Sequence, residues 1–200
     1  LNYSINIVRM EFRCNKFIYW CSGNCLYSFR RHQSSYPNTE ATNGGKIPEF
    51  IDSVGVWPER IVEIQPSGKS GANIVWEWHQ WDHLIQDFDN TKLNYGVVAD
   101  HPELVDINYF PGAQDTPDWI HLNSIDYNEE LDQILLSSHR MCEVWIIDHS
   151  TTTAEASSHN GGNIGKGGDL LYRWGNPQAY QSGTTANKIF YGQHHASWIP

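Results

Sequence analysis

The 200-residue chain has no cluster of Lys and Arg, and its formal net charge is −10 with histidines counted neutral. A nucleic-acid partner calls for a basic patch that neutralises phosphates, so both facts argue against one. There is also no apolar run near the roughly 18 residues that a membrane-spanning helix needs. Cysteines are few: Cys14, Cys21, Cys25 and Cys142. They form neither CxxC nor CxxCH, which argues against a redox motif or a c-type haem. The stretch that holds three of them offers too few further ligands for zinc. Cys21 and Cys25 are instead spaced to close a small disulfide loop in an oxidising compartment, with free buried thiols as the alternative reading. Leu1 to Met10 lacks a long apolar run and a small-residue cleavage site, so it does not read as a secretory signal. With Leu rather than Met in first place, the expectation is a fragment of a longer protein.

Charged residues are scarce at 18% and apolar residues make up 40%, the balance of a folded chain long enough for one domain. Nine Trp and ten Tyr favour half-buried strand surfaces. Residues 1–56 read as an irregular N-terminal segment, with one strand at Lys16 to Trp20 and a loop from Gln33 to Lys46 rich in Ser, Asn, Thr, Gly and Pro. Residues 57–200 are regular. Arg60 to Gln65 alternates as a strand, Pro66 to Gly71 is a turn, and Asn73 to Trp78 returns. Trp81, Leu84, Ile85 and Phe88 have helical spacing, and Asp100 with Glu103 reads as a capping box for a second short helix.

Strands follow at Trp119 to Asp126, Gln133 to Ser138, Glu143 to Asp148 and Asp169 to Trp174. The last comes after a glycine-rich loop through Gly161 and Gly168. Four strands in meander order make one blade of a β-propeller. The pair ending at Trp78 reads as the outer half of a preceding blade, and Gln193 to Ile199 as the start of the next. The expected class is therefore all-β: a partial β-propeller of about two blades with short helical insertions. On the strand at Asp118 to Ile125, alternation would send His121 and Asn123 to one face and the apolar Ile120 and Leu122 to the other.

Five motifs carry a resemblance. Asp118-Trp119-Ile120-His121-Leu122-Asn123, Ile134 to Ser138, Val144 to Asp148, Leu171 to Gly175 and Gly192-Gln193-His194 resemble, in order, those of the bacterial arylsulfotransferase family. The likeness runs from about Trp57 to Pro200 and leaves out residues 1 to 50. It implies a six-bladed propeller, periplasmic or secreted. The activity it implies is transfer of a sulfuryl group from an aryl sulfate to a phenolic acceptor, without a phosphoadenosine cofactor. His194 then corresponds to the family's nucleophile and His121 to a second active-site histidine. The family's arginine follows two serines, whereas here Ser137 and Ser138 precede His139, and Arg140 comes one place later. On a strand Arg140 would face the other way unless a bulge restored it. An upstream His-His-Asp motif of the family has no counterpart.

The chemistry is self-consistent. A neutral imidazole, with an ordinary pKa of about 6.5, is a competent nucleophile. A sulfo-histidine intermediate divides the transfer into two displacements. His121 would serve as base for the acceptor, while Arg140, His139 and Asn123 would hold sulfuryl oxygens and substrate. No resident cofactor or metal is expected, and no oligomeric state can be read. The alternative is a non-catalytic propeller that binds a ligand or partner, having lost part of the active site. A quinone-dependent dehydrogenase is a third, weaker reading.

Other features have plainer readings. His195, next to His194, would face away from it on a strand. His79, His83 and His101 read as structural or solvated. The tryptophans read as packing between strands. Gly161 to Lys166 lacks the GxxxxGK[ST] spacing of a phosphate loop and reads as a hairpin loop. Glu129, Glu130 and Asp132 read as a solvated turn.

Overall fold

The alternation from residue 59 onward is realised as one antiparallel hairpin and one four-stranded meander that share one core. The computed structural model describes residues 19–21, 24–30, 37–53, 55–69, 71–109 and 117–199; for 19–30 only the backbone pairing is described. One four-stranded sheet comprises β1 (Tyr19–Cys21), β2 (Asn24–Arg30), β3 (Glu59–Ser67) and β4 (Gly71–His79), neighbours in chain order and all antiparallel. A second comprises β7 (Leu122–Asn128), β8 (Gln133–Ser138), β9 (Glu143–Asp148) and β10 (Tyr172–Trp174), again a meander. Between them β5 (Leu84–Ile85) runs parallel to β6 (Val105–Asp106). The regular secondary structure of the described residues is thus mostly antiparallel sheet, with helix confined to α1 (Asn38–Asn43), α2 (Thr153–Ala156) and short 3₁₀ turns.

Side-chain alternation explains the layering. In β4, Ala72, Trp76 and Trp78 are buried while Val75 is exposed, and the register slips between Glu63 and Ile64 of its partner β3. In β9, Glu143, Trp145 and Ile147 face in. The two inner faces share one hydrophobic cluster, in which Ile61, Trp76 and Trp78 meet Ile125, Leu136, Trp145 and Ile147. Polar links cross between the sheets. The Leu122 N–H donates to Glu59 Oε1 (2.8 Å), the Trp76 indole to Thr151 Oγ1 (3.1 Å), and His149 Nε2 lies 3.3 Å from Glu63 Oε2.

Several expectations change. The helix read from Trp81 to Phe88 is a single 3₁₀ turn over Gln80–His83 followed by extended β5. Gln86 Oε1 accepts from the Phe88 and Asp89 amides, donors that a helix would have used, and Phe88 is exposed. Asp100 ends a 3₁₀ turn over Val98–Asp100 instead of capping a helix, and Glu103 pairs with His101. The first strand of the second sheet starts at Leu122 rather than Trp119, and the fourth shrinks to Tyr172–Trp174. Strands β1 and β2 fall in the stretch read as irregular, and α1 falls in the stretch read as loop. Residues 193–199 form no strand. Cys14 and the side chains of Cys21 and Cys25 lie outside the described residues, and with them the expected disulfide; Cys142 is a buried free thiol. Trp78, Trp119 and Trp145 pack as expected and are fully buried, whereas Trp174 is exposed.

Candidate active site

Three segments meet at one end of the second sheet: the approach to β7, the turn after β8, and the C-terminal segment from Gly192. The first two are joined by backbone pairing, His139 N–H to His121 O (3.0 Å) and Arg140 N–H to Ile120 O (3.2 Å). The third is held by side chains. Gln193 Nε2 donates to Ser138 O (3.0 Å), Glu143 O (2.8 Å) and Ser137 Oγ (3.3 Å), spanning the gap between β8 and β9. Further along, the Ala196 N–H donates to Ser124 Oγ (3.0 Å) and the Trp198 N–H to Asp126 Oδ2 (2.7 Å), so the segment runs beside β7.

This arrangement brings three imidazoles together. Ring centroids lie 4.9 Å apart for His121 and His139, 4.8 Å for His139 and His194, and 6.3 Å for His121 and His194. His121 precedes the strand with φ 55, a left-handed conformation that histidine tolerates better than bulkier residues. The ladder also slips between Leu122 and Ser124. Strand alternation therefore does not set the relation between His121 and Asn123. Both reach the C-terminal segment all the same, Asn123 by donating from Nδ2 to Gln193 O (2.8 Å).

The hydrogen bonds fix tautomers. His121 Nδ1 lies 2.6 Å from Asp118 Oδ2, and His139 Nδ1 lies 3.0 Å from Gly192 O. Carboxylate and carbonyl oxygens only accept, so each neutral ring carries its hydrogen on Nδ1 and offers Nε2 as a lone pair. Burial pushes the His139 pKa below the usual imidazole value, and the nearby charges of His121, His194 and Arg140 act in the same direction; the Gly192 carbonyl opposes them. His139 is thereby biased towards the neutral, nucleophilic form. Gly192, at φ 77, permits the close approach: a Cβ there would sit 2.7 Å from His139 Cε1.

All five residues singled out in the sequence lie on these segments. His139 and Arg140 belong to the turn after β8 rather than to the strand, so alternation does not separate them. Arg140 adjoins the trio through its backbone and its effect on His139. His194 is exposed, His121 and His139 are partly buried, and Asn123 is buried. His195 follows at φ 63, exposed, and no strand there imposes opposite faces on the pair. Asn123 Oδ1, Arg140 Nε and Gln193 Oε1 are buried polar atoms without a hydrogen-bond partner among the described residues. Groups of this kind can meet a polar ligand. Sequence reasoning missed Asp118 as the orienting partner of His121, although its position three residues before the histidine was on view.

A family model described as arylsulfotransferase (ASST) matches residues 45–200. No curated protein and no solved structure matches the chain.

Proposed function

The chain belongs to the arylsulfotransferase family, and on that premise we propose that it transfers a sulfuryl group from an aryl sulfate to a phenolic acceptor. The observation that carries the reading is the convergence of His121, His139 and His194. In the proposed first step a neutral His194 nitrogen attacks sulfur. The S–N bond forms, the S–O bond to the aryl group breaks, and the phenolate leaves. In the second step the acceptor oxygen attacks the sulfo-histidine, His121 Nε2 takes the phenolic proton, and the S–N bond breaks. Asp118, on Nδ1 of His121, stabilises the resulting imidazolium. Arg140 and Asn123 are assigned to the sulfuryl oxygens, while the neutral His139, whose Nδ1 hydrogen is held by Gly192 O, presents Nε2 as an acceptor to a substrate hydroxyl.

The two four-stranded meanders fit adjacent blades of a propeller, with the C-terminal segment lying where a following blade would begin. No helix among the described residues is long and apolar enough to cross a membrane. A periplasmic or secreted location is proposed from the family resemblance.

The test incubates the protein with a chromogenic aryl sulfate and a phenol acceptor. The expected result is phenol release that disappears in His194→Ala. Release that survives this change removes His194 as nucleophile. No turnover by the parent protein favours the binding-module reading, which the histidine at the family's arginine position also favours.

A further inference from the structure

His83, His159 and Asp169 form a second polar cluster, apart from the histidine trio. Of the two readings of His83, structural or solvated, burial leaves the structural one. The residue ends the 3₁₀ turn after β4 with its side chain fully buried, stacked on Trp78 at 5.6 Å between centroids and 4° between planes. Its Nε2 lies 2.9 Å from Ala156 O in α2, and its Nδ1 lies 2.8 Å from Asp169 Oδ1. The same Asp169 oxygen lies 2.8 Å from His159 Nδ1. The three potential ligand atoms sit within 4.8 Å of one another.

The bonding pattern calls for a cation. Ala156 O can only accept, so His83 Nε2 carries a hydrogen. A neutral His83 then turns the Nδ1 lone pair towards an ionised carboxylate oxygen at contact distance. Either an extra proton or a metal ion must lie between them. Two imidazoles and a carboxylate are a donor set suited to zinc and similar divalent ions. A backbone carbonyl accepting from the other nitrogen of a ligand histidine is the usual orienting arrangement at such sites. Tetrahedral ligands at about 2.0–2.1 Å stand about 3.3 Å apart, so the two His–Asp contacts of 2.8 Å need to lengthen by about half an ångström, and the two histidine ligand atoms, within 4.8 Å of each other, need to settle to the same spacing. The pocket is closed behind His83 by Trp78 and by Gly168, where a Cβ would lie 2.5 Å from His83 Nε2. It opens to solvent beside His159, whose side chain is 60% exposed.

We infer that His83, His159 and Asp169 bind one divalent transition-type ion, zinc in the first instance, through His83 Nδ1, His159 Nδ1 and Asp169 Oδ1. The ion pins the loop between β9 and β10 to the end of β4, so its role is to fasten the second sheet to the first. Zinc titration of chelator-treated protein, followed by calorimetry and thermal unfolding, tests this. The expected result is one equivalent bound and a higher melting temperature with zinc. His159→Ala, a change at an exposed side chain, should weaken binding about tenfold or more, as should Asp169→Asn. His194→Ala should leave it intact. Binding lost in His194→Ala but kept in His159→Ala would move the ion to the trio and overturn the assignment. The absence of stoichiometric binding in the parent protein would overturn it in favour of a proton-bridged cluster.

Discussion

A histidine is as useful as the hydrogen bonds that fix its tautomer, and at the trio those bonds come from Asp118 and Gly192. Because burial and neighbouring charge hold His139 towards its neutral form, the acid limb of any turnover that uses it should fall below the usual imidazole value of about 6.5. A rate profile between pH 5 and 8 measures this, and a limb centred above 6.5 would count against His139. Gly192→Ala adds a Cβ against the His139 ring at a left-handed position. It should cost roughly 1–2 kcal/mol in urea unfolding and shift the His139 ring resonances, while the sheets persist. His121 shows where residue-level reading stops. The sequence displays an alternating strand, but φ 55 just before β7 and the slip after Leu122 are backbone events that no period-2 pattern encodes. The contact with His194 arises from a segment seventy residues away in the chain, held there by Asn123 and Gln193.

At the level of elements, β8 and β9 were legible to the residue because their apolar runs end in turn residues. β2 was not, although Cys25, Tyr27 and Phe29 alternate with Leu26, Ser28 and Arg30, because Leu26 interrupts the polar positions. β10 inverts the usual pattern: Tyr172 and Trp174 are exposed and Arg173 is buried. Arg173 lies against Tyr180, its Nη1 donates to Leu104 O, and its Nη2 pairs with Glu143 at 2.5 Å. Burial still holds the Glu143 carboxyl above its usual range. Arg173→Ala leaves that carboxylate buried and unpaired, so it should cost about 3–5 kcal/mol by chemical denaturation. Replacing both partners with apolar residues of similar volume should recover much of the loss. If Arg173→Ala proves nearly neutral, the pair does not hold β10 to β9.

Across the whole molecule, Lys46 ties the segment before β3 to Ile107, the residue after β6, and Asp106 acts on it electrostatically. Lys46 Nζ donates to Ile107 O at 2.8 Å and lies 4.8 Å from the Trp119 ring. Burial lowers the Lys46 pKa to about 8, against the pull of Asp106, and raises the Asp106 pKa to about 6. Between about pH 4 and 6 the folded chain keeps the Asp106 proton that the unfolded chain has released, so this group's contribution to stability falls as pH rises. Between about 8 and 10.5 the unfolded chain keeps the Lys46 proton that the folded chain has released, so stability recovers as pH rises. The pair therefore places a trough near neutral pH. Urea unfolding of Asp106→Asn should lack the descent between pH 4 and 6, a difference on the order of 3 kcal/mol. An unchanged slope would mean that Asp106 titrates alike in both states.

Residues 193–199 carry their own readout. The amides of Ala196 and Trp198 are engaged by side chains of β7, not by a strand ladder. Their exchange with deuterated solvent is therefore governed by how often this short stretch lifts away, not by unfolding of the sheets. Since His194 travels with them, the protection of those two amides amounts to a clock for the fraction of time the three imidazoles stand together. That fraction sets a ceiling on any turnover the trio supports.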